Sequence, residues 1–204
     1  MWGQAIWPVT LESGDLILRP IKHRDKADWS RVRARNAEWL APWEASNPAP
    51  GATLPTFGGM VRALSEQARA ATALPFIITE RVPGQARPAL VGQLTVSSIV
   101  WGSAMMATLG YWVDKDRAGR GIAPTAVAMA TDHCFRELGL HRMEINIRPE
   151  NGPSLRVVEK LGFRDEGLRP RYLHINGAWA DHRSFALTAE EVPNGLLKPW
   201  LTRL

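Results

Sequence analysis

A chain of 204 residues, 45% of them hydrophobic and 22% charged, is long enough for one globular domain with a buried core. Its formal net charge of +5 permits an anionic partner, but the arginines are spread from Arg19 to Arg203 without a dense basic block. That spread disfavours dedicated nucleic-acid binding. No apolar run approaches the roughly 18 residues of a membrane span, so no membrane partner is expected.

Cysteine and histidine usage excludes two further classes of protein. The single cysteine, Cys134, rules out an internal disulfide and a cysteine-built zinc site, and it fits a reducing cytoplasm. The five histidines show no metal-ligand spacing with acidic or cysteine partners, so no metal site is predicted. The N-terminal stretch lacks the basic start and apolar core of a signal peptide. We therefore expect a cytoplasmic protein.

Hydrophobic periodicity and turn residues predict the elements in chain order. The first half predicts a strand, a helix, a short helix, a loop, a helix and two strands. Their approximate ranges are 15–21, 24–35, 36–48 with its break at two prolines, 49–55, 57–71, 75–81 and 89–101. The loop 49–55 is a candidate lid, and Gly92 is a candidate bulge in the second of these strands.

The second half of the chain predicts a strand, a glycine loop, a long helix, a strand, a short helix and a hairpin. The strands, helices and hairpin span 106–114, 122–140, 142–149, 151–163 and 164–188, and the loop contains Gly119 and Gly121. Asn176-Gly177 is the hairpin turn. Many antiparallel neighbours with few helices indicate an α+β layer rather than a doubly wound sheet. We predict one domain over 1–204, with its core at about 12–188 and a C-terminal tail at 189–204.

The glycine loop is typical of an anion-binding site. Gly119 and Gly121 lie between a strand and a helix start, where free N–H groups and the helix dipole favour negative charge. Arg117 and Arg120 add full positive charges. A Walker-type loop needs Lys-Ser or Lys-Thr after its last glycine, but Gly121 is followed by Ile122-Ala123. A dinucleotide fingerprint needs a third small residue at position 124, which here is proline. Neither motif fits. An ordinary glycine-rich turn stays open, because Gly-x-Gly alone is weakly specific.

Three further segments give the loop a context. AGRGIA (118–123) resembles the pyrophosphate loop of the GCN5-related N-acetyltransferases (GNAT), and NGPSLRVVEKLGF (151–163) resembles that superfamily's next segment. LAPWEAS (40–46) and YLHINGAWADHRSFALT (172–188) are similar to the ribosomal-protein-alanine N-acetyltransferase type. The resemblance covers roughly residues 12–188. One departure is Ala118, where the family carries Gln or Arg.

This resemblance implies a GNAT fold, a mixed and mostly antiparallel sheet of six to seven strands flanked by helices, and acetyl-CoA as cosubstrate. Main-chain amides around the loop would bind the pyrophosphate, the strand ending at Val113 would hold the pantetheine arm, and the Val113 N–H would stabilise the oxyanion. The implied cofactor-binding residues are Trp112, Val113, Arg117, Ala118, Gly119, Arg120, Gly121, Ile122, Ala123, Asn151 and Ser154.

The catalytic assignments leave alternatives open. Many relatives place a tyrosine for the leaving group where this chain has Val158, so Ser154 is the candidate that stabilises the thiolate, unless it merely caps its helix. Asn151 could cap the helix, bind the pantetheine arm, or do both. Glu144 is a candidate general base only if its face of the strand lines the cleft. Glu44 and Trp43 are the candidate ligands of the acceptor amine.

The implied acceptor is the N-terminal amine of a protein, with a ribosomal protein in the lead. A small amine, such as an amino acid, polyamine or aminoglycoside, is the alternative, because the acceptor site is built from the variable segment 36–75. That segment offers only Glu38, Glu44 and Glu66 as carboxylates, which favours a peptide. A non-catalytic CoA- or nucleic-acid-binding module is a third reading, and a homodimer is left open.

Overall fold

Eight strands form one sheet in the order β1-β2-β3-β4-β5-β6-β8-β7 in the computed structural model, which describes residues 6–51 and 53–204. The strands are β1 (Leu11–Ser13), β2 (Leu16–Pro20), β3 (Leu74–Glu80), β4 (Ala89–Val100), β5 (Met106–Val113), β6 (Arg142–Ile147), β7 (Arg164–Ile175) and β8 (Ala178–Thr188). Neighbouring strands are antiparallel except β5 and β6, which are parallel.

Helices connect and flank the strands. Those described are α1 (Lys26–Arg35), α2 (Ala37–Leu40), α3 (Phe57–Arg69), α4 (Ile122–Arg136), α5 (Gly152–Leu161) and α6 (Leu197–Leu201). The α4 helix ends at Arg136 rather than at the predicted residue 140, and the chain turns there through Gly139 in the left-handed region. Gly162, also left-handed, ends α5 as a C-cap glycine does.

The predicted α+β architecture is confirmed, and the strand number is corrected. The sheet has eight strands rather than six or seven, because Leu11–Ser13 pairs with β2 as an additional strand of three residues. So short a strand shows too few alternations for a hydrophobic pattern to reveal it. The hairpin turn falls at Asn176-Gly177, both with positive φ, as the sequence predicts.

The parallel pair β5–β6 is short, and that shortness creates an opening in the sheet. Pairing runs only from Met106 opposite Arg142 to Thr108 opposite Glu144. Beyond Thr108 the two strands have no common register, while β5 stays paired to β4 as far as Val113. The C-terminal half of β5 therefore has one edge free of a neighbouring strand.

The main core lies between the sheet and α4 and α5, and it includes residues beyond 188. Leu196 and Trp200, each 6% exposed, belong to the same buried cluster as Phe76, Leu94 and Met143. The Trp200 Nε1 donates to Thr125 Oγ1 of α4 at 2.8 Å, and Asp132 accepts from the backbone N–H of Leu196. The segment 189–204 thus contributes to the core rather than only extending past it. Among the described residues, no helix is long and apolar enough to cross a membrane.

Gly92 lies at an irregularity of the sheet beside this opening. The register between β3 and β4 shifts next to it, so that Val91 is left as an extra residue, as in a β-bulge. A Cβ at position 92 would lie 2.4 Å from the carbonyl oxygen of Trp112 in β5. Only glycine allows β5 to approach β4 this closely here.

Candidate active site

The loop between β5 and α4 leaves a helix N-terminus free of a side-chain cap. After a single turn of 3-10 helix at Lys115–Arg117, Gly119 and Gly121 adopt φ values of +79° and +78°. Gly121 is the N-cap of α4, and no acidic residue lies in the first turn. Within the part of the chain that the structure describes, no side chain bonds to the amides of that turn. These amides and the helix dipole together suit a phosphate group.

A buried carboxylate anchors the start of this loop. Asp114 is fully buried and accepts hydrogen bonds from the Arg35 guanidinium and from Asn36 Nδ2, the latter at 2.8 Å. The Asn36 side-chain oxygen in turn accepts from the Lys115 N–H at 2.9 Å. Although burial raises the pKa of Asp114, these hydrogen bonds and the Arg35 charge outweigh it and the net pKa is lowered. The network fixes β5 and its loop to α1.

Glu80 at the end of β3 holds both loop arginines. Its carboxylate lies 2.9 Å from Arg117 Nη1 and 3.1 Å from Arg120 Nη2. Part of the positive charge that the sequence assigns to the loop is therefore compensated. Arg117 still faces the cavity described next, whereas Arg120 does not line it.

A cavity of about 720 Å³ extends from the loop to the 38–45 segment, and we call it the cleft. Its walls come from the end of β5, the starts of α4 and α5, and the segment after α1. The residues of the sequence prediction that line it are Trp43, Glu44, Trp112, Val113, Arg117, Ala118, Gly119, Gly121, Ile122, Ala123, Asn151 and Ser154. Of the predicted set, Arg120 and Glu144 do not line the cleft.

Glu144 has a different environment from the one a general base would need. It is buried on β6 and its carboxylate is bound by Arg142 at 2.8 Å and by Arg169 at 3.4 Å. Both carboxylate oxygens are therefore engaged, Oε1 by Arg142 and Oε2 by Arg169. The condition attached to Glu144, that its face of the strand lines the cleft, is not met.

The start of α5 brings Asn151, Ser154 and Tyr111 together. The Asn151 side-chain oxygen accepts from the Ser154 N–H at 3.1 Å, so Asn151 rather than Ser154 caps the helix. The Ser154 hydroxyl instead lies 2.8 Å from the Tyr111 hydroxyl of β5. Burial, partly offset by this hydrogen bond, raises the pKa of Tyr111 to about 12. Val158, one turn further along α5, is buried in the core and supplies no polar group.

One wall of the cleft carries the ion pair of Arg33 with Glu44, and tryptophans pack against the guanidinium. The Arg33 guanidinium lies 5.5 Å from the Trp29 ring centroid and 5.3 Å from that of Trp112, and it pairs with Glu44. A guanidinium held against aromatic faces is fixed in place by cation–π attraction. The Glu44 carboxylate therefore stands at a defined position on the wall.

The tip of the β7–β8 hairpin supports this wall. Ala45 forms an isolated antiparallel bridge with Ile175, the Ser46 N–H donates to the His174 carbonyl at 2.9 Å, and the Asn176 N–H donates to the Glu44 carbonyl at 2.9 Å. The segment LAPWEAS thus adds to the hairpin as a short strand would. Segments that the sequence could only pair by resemblance are here in direct contact.

Several cleft residues were not identified from the sequence. They are Arg33, Trp39, Arg156 and Lys160, whereas Tyr111 belongs to the strand end that was expected to hold the pantetheine arm. Arg156 and Lys160 are four residues apart on α5 and so share one helix face, which is the signal that could have revealed them. The predicted lid, 49–55, includes Ala52, which lies outside the described residues; its other residues form a loop. Within 6–51 and 53–204, no group of three or more His, Cys, Asp or Glu side chains is placed to hold a metal ion.

Comparison with known families agrees with this geometry. The sequence model of the Acetyltransferase (GNAT) domain family matches residues 15–164, which includes the loop and the start of β7. The chain belongs to the GNAT acetyltransferase family. This GNAT acetyltransferase is 27% identical over 183 residues to the [Ribosomal protein uS5]-alanine N-acetyltransferase of Escherichia coli, covering 90% of this chain and 92% of the relative.

Solved structures extend the comparison to the whole chain. The GNAT acetyltransferase superimposes on Mycobacterium smegmatis RimJ in complex with CoA-disulfide with a TM-score of 0.86 and 39% identity, covering 97% of this chain and 96% of the other. A probable N-acetyltransferase of Bacillus subtilis, YjcK, is 41% identical over 98 residues, but this match spans only 48% of this chain and 54% of YjcK. The similarity to RimJ therefore extends over nearly the whole chain.

Proposed function

We propose that this GNAT acetyltransferase transfers the acetyl group of acetyl-CoA to the N-terminal amine of a protein, with a ribosomal protein as the leading acceptor. The observation that carries the proposal is one continuous cleft that joins the uncapped start of α4 to the wall formed by Trp43 and Glu44. The end-to-end similarity to RimJ, a protein solved in complex with CoA-disulfide, supports it. A cytoplasmic location is part of the proposal.

The residues of the loop fit the cosubstrate. A Cβ at Gly119 would have no neighbour within 4 Å, so the loop leaves space for a ligand to approach its backbone. The first-turn amides of α4 would bind the diphosphate, with Arg117 beside them. When bound, acetyl-CoA supplies an activated acyl group on a thiolate leaving group. We assign Asn151 and Ser154, which line the cleft at the start of α5, to the pantetheine end of the cosubstrate.

A backbone donor for the oxyanion follows from the strand register. The Asp114 N–H donates to the Val91 carbonyl of β4 at 2.8 Å. Successive N–H groups along a strand point to opposite edges, so the Val113 N–H points to the edge that β6 leaves free. A donor at this position, fixed by the pairing of β5 with β4, would stabilise negative charge on the thioester carbonyl oxygen without reorganising.

The charge of the cleft favours an acceptor with one amine. Its lining includes two carboxylates, Glu38 and Glu44, and the cations Arg33, Arg117, Arg156 and Lys160. Glu44 is paired with Arg33 and Arg117 with Glu80, which leaves one carboxylate, Glu38, against Arg156 and Lys160. A polyamine or aminoglycoside would meet net repulsion there. An α-amino group, with a pKa of about 8, is partly neutral at physiological pH and needs little help to lose its proton. We assign Glu44 to binding this amine.

The test is an acceptor screen that follows CoA release. Peptides with N-terminal alanine or serine, the same peptides with a blocked N-terminus, free amino acids, spermidine and an aminoglycoside are compared at equal concentration. We expect turnover with free N-terminal peptides and none with the blocked ones. Turnover only with the small amines would contradict the proposed acceptor, and no CoA release with any amine would contradict transferase activity.

A further inference from the structure

Tyr111 and Ser154 join the two walls of the opening in the sheet. Tyr111 lies on the half of β5 that has no β6 neighbour, and Ser154 lies in the first turn of α5, the helix that follows β6. Their hydroxyl oxygens are 2.8 Å apart, and both residues line the cleft. This hydrogen bond crosses the opening at the point where the reactive end of a bound thioester would enter.

The Ser154 hydroxyl is not needed to cap its helix, so its proton is available to a ligand whenever Tyr111 is the donor of their hydrogen bond. Asn151 takes the capping role at α5, so the Ser154 hydroxyl is not used to satisfy the helix N-terminus. A hydroxyl has one proton and two acceptor lone pairs. If Tyr111 donates to Ser154, the serine oxygen is occupied as an acceptor and its own proton can point into the cleft.

We propose that Tyr111 is a positioning residue, whose hydroxyl donates to Ser154 and directs the serine proton toward the sulfur that leaves during acetyl transfer. The inference rests on the proposed function. In that step the amine nitrogen bonds to the acetyl carbon, and the C–S bond breaks with its electron pair going to sulfur. The surplus proton of the amine passes to water. Both hydroxyl groups keep their protons: the Ser154 hydroxyl hydrogen-bonds the thiolate, and the Tyr111 hydroxyl hydrogen-bonds Ser154.

The chemistry of the two groups favours hydrogen bonding over proton transfer. With its pKa raised to about 12, the Tyr111 hydroxyl is fully protonated near neutral pH and is always able to donate. A thiol titrates near 8.5, so a thiolate is too weak a base to take that proton. A hydrogen bond to a charged acceptor is stronger than one to a neutral acceptor, so the chain acts more on the departing thiolate than on the bound thioester.

The kinetic test uses Tyr111→Phe, Ser154→Ala and the double variant. We expect each single variant to lower kcat by about tenfold while the KM for acetyl-CoA changes less than twofold, since the loss of one charge-assisted hydrogen bond has this size. The double variant should be no slower than Ser154→Ala, because Tyr111 acts only through Ser154. Ser154→Thr keeps a hydroxyl and should retain most of the activity. Tyr172→Phe removes the other tyrosine hydroxyl of the chain, on β7, and is the matched control.

A binding measurement tests the same idea without turnover. Calorimetry measures the affinity for free CoA and for acetyl-CoA at pH 7 and at pH 9.5. Between these two pH values, the affinity for CoA should rise about tenfold relative to the affinity for acetyl-CoA, because only CoA can form the stabilised thiolate. Tyr111→Phe and Ser154→Ala should each remove most of this difference. If Tyr111→Phe does not fold, NMR of ¹³Cζ-labelled tyrosine decides: the chain has two tyrosines, and Ser154→Ala should shift only the Tyr111 signal.

The outcomes separate the inference from the proposed function. Wild-type kcat and an unchanged pH dependence of CoA binding in Tyr111→Phe would overturn the inference while leaving the transferase intact. Additive losses in the double variant would also overturn it, because they would mean that Tyr111 acts independently of Ser154. Absence of CoA and acetyl-CoA binding by the folded wild-type protein would instead contradict the proposed function itself.

Discussion

Gly92→Ala is the substitution whose effect the structure specifies most closely. The added Cβ would lie 2.4 Å from the Trp112 carbonyl oxygen and 3.2 Å from the Val113 Cα, both backbone atoms of β5. Ordinary contact begins near 3.4 Å, so the carbonyl would have to retreat by about 1 Å. It cannot do so alone, because Trp112 and Val113 are in register with Gln93 and Gly92 of β4.

The cost of this overpacking is about 1–3 kcal/mol of unfolding free energy. Replacing glycine by alanine also stabilises a protein by about 0.4–1 kcal/mol through the unfolded chain, so a control must subtract that effect. Gly110→Ala provides it: Gly110 is exposed on β5, without positive φ, and its added Cβ would meet no atom within 4 Å.

Urea unfolding of both variants and the wild type measures the difference. We expect Gly92→Ala to be about 1–3 kcal/mol less stable than Gly110→Ala, with a melting temperature lower by roughly 2–12 °C. Because Trp112 lines the cleft, acetyl-CoA affinity should fall in Gly92→Ala and not in Gly110→Ala. Equal stabilities of the two variants would refute the close approach of β4 and β5 at this position.

Three further predictions concern Asp114 at the start of the glycine loop, Glu44 on the wall of the cleft and the buried thiol of Cys134. The pKa of Asp114 is lowered in the folded state, so its contribution to stability is present above the unfolded pKa of about 3.9 and is lost as pH falls through the lower folded value. In urea titrations, Asp114→Asn should lower the free energy of unfolding at pH 7 by about 2 kcal/mol and weaken the loss of stability below pH 4. A parallel loss of stability with falling pH in both proteins would exclude this role. In steady-state kinetics, Glu44→Gln should raise the KM for a peptide acceptor about tenfold and leave the KM for acetyl-CoA unchanged. Glu66→Gln, on the exposed face of α3, is the control. An unchanged peptide KM in Glu44→Gln would contradict the assignment of Glu44 to the acceptor site. Burial raises the pKa of the Cys134 thiol to about 12. An aromatic disulfide reagent at pH 8 should therefore label no thiol in the folded protein and one thiol per chain in denaturant. Rapid labelling of the folded protein would contradict the burial of Cys134.

Periodicity was sufficient for the long elements of this fold because each has a clear pattern and chemical boundaries. Pro124 near the start of α4 and Asn176-Gly177 between β7 and β8 specify their structures locally. The three-residue β1 carries no such pattern. The contribution of Trp200 to the core depends on a hydrogen bond to Thr125, 75 residues earlier, which no local signal contains.

In the candidate site too, features set by neighbouring residues could be predicted from the sequence, and contacts between distant residues could not. The glycine loop could be located because φ and helix-start requirements act within a few residues. The pairing of Glu80 with Arg117 and Arg120, and that of Tyr111 with Ser154, joins residues 37 or more positions apart, so the sequence could not show which charges are compensated and which hydroxyls meet. Glu144 illustrates the converse. Its position on β6 suited a base, but Arg142 and Arg169 occupy its carboxylate.

The position of α6 also bears on the order in which the molecule can be completed during translation. All eight strands emerge before Leu196 and Trp200, which pack in the core with α4; Trp200 also lies against the glycine loop near Gly121. A nascent chain halted after β8 would hold its sheet residues but expose the apolar side of α4 that the indole covers. Ligand-competent protein should therefore arise only after this late helix docks, and the growing polypeptide should bind chaperones until it does.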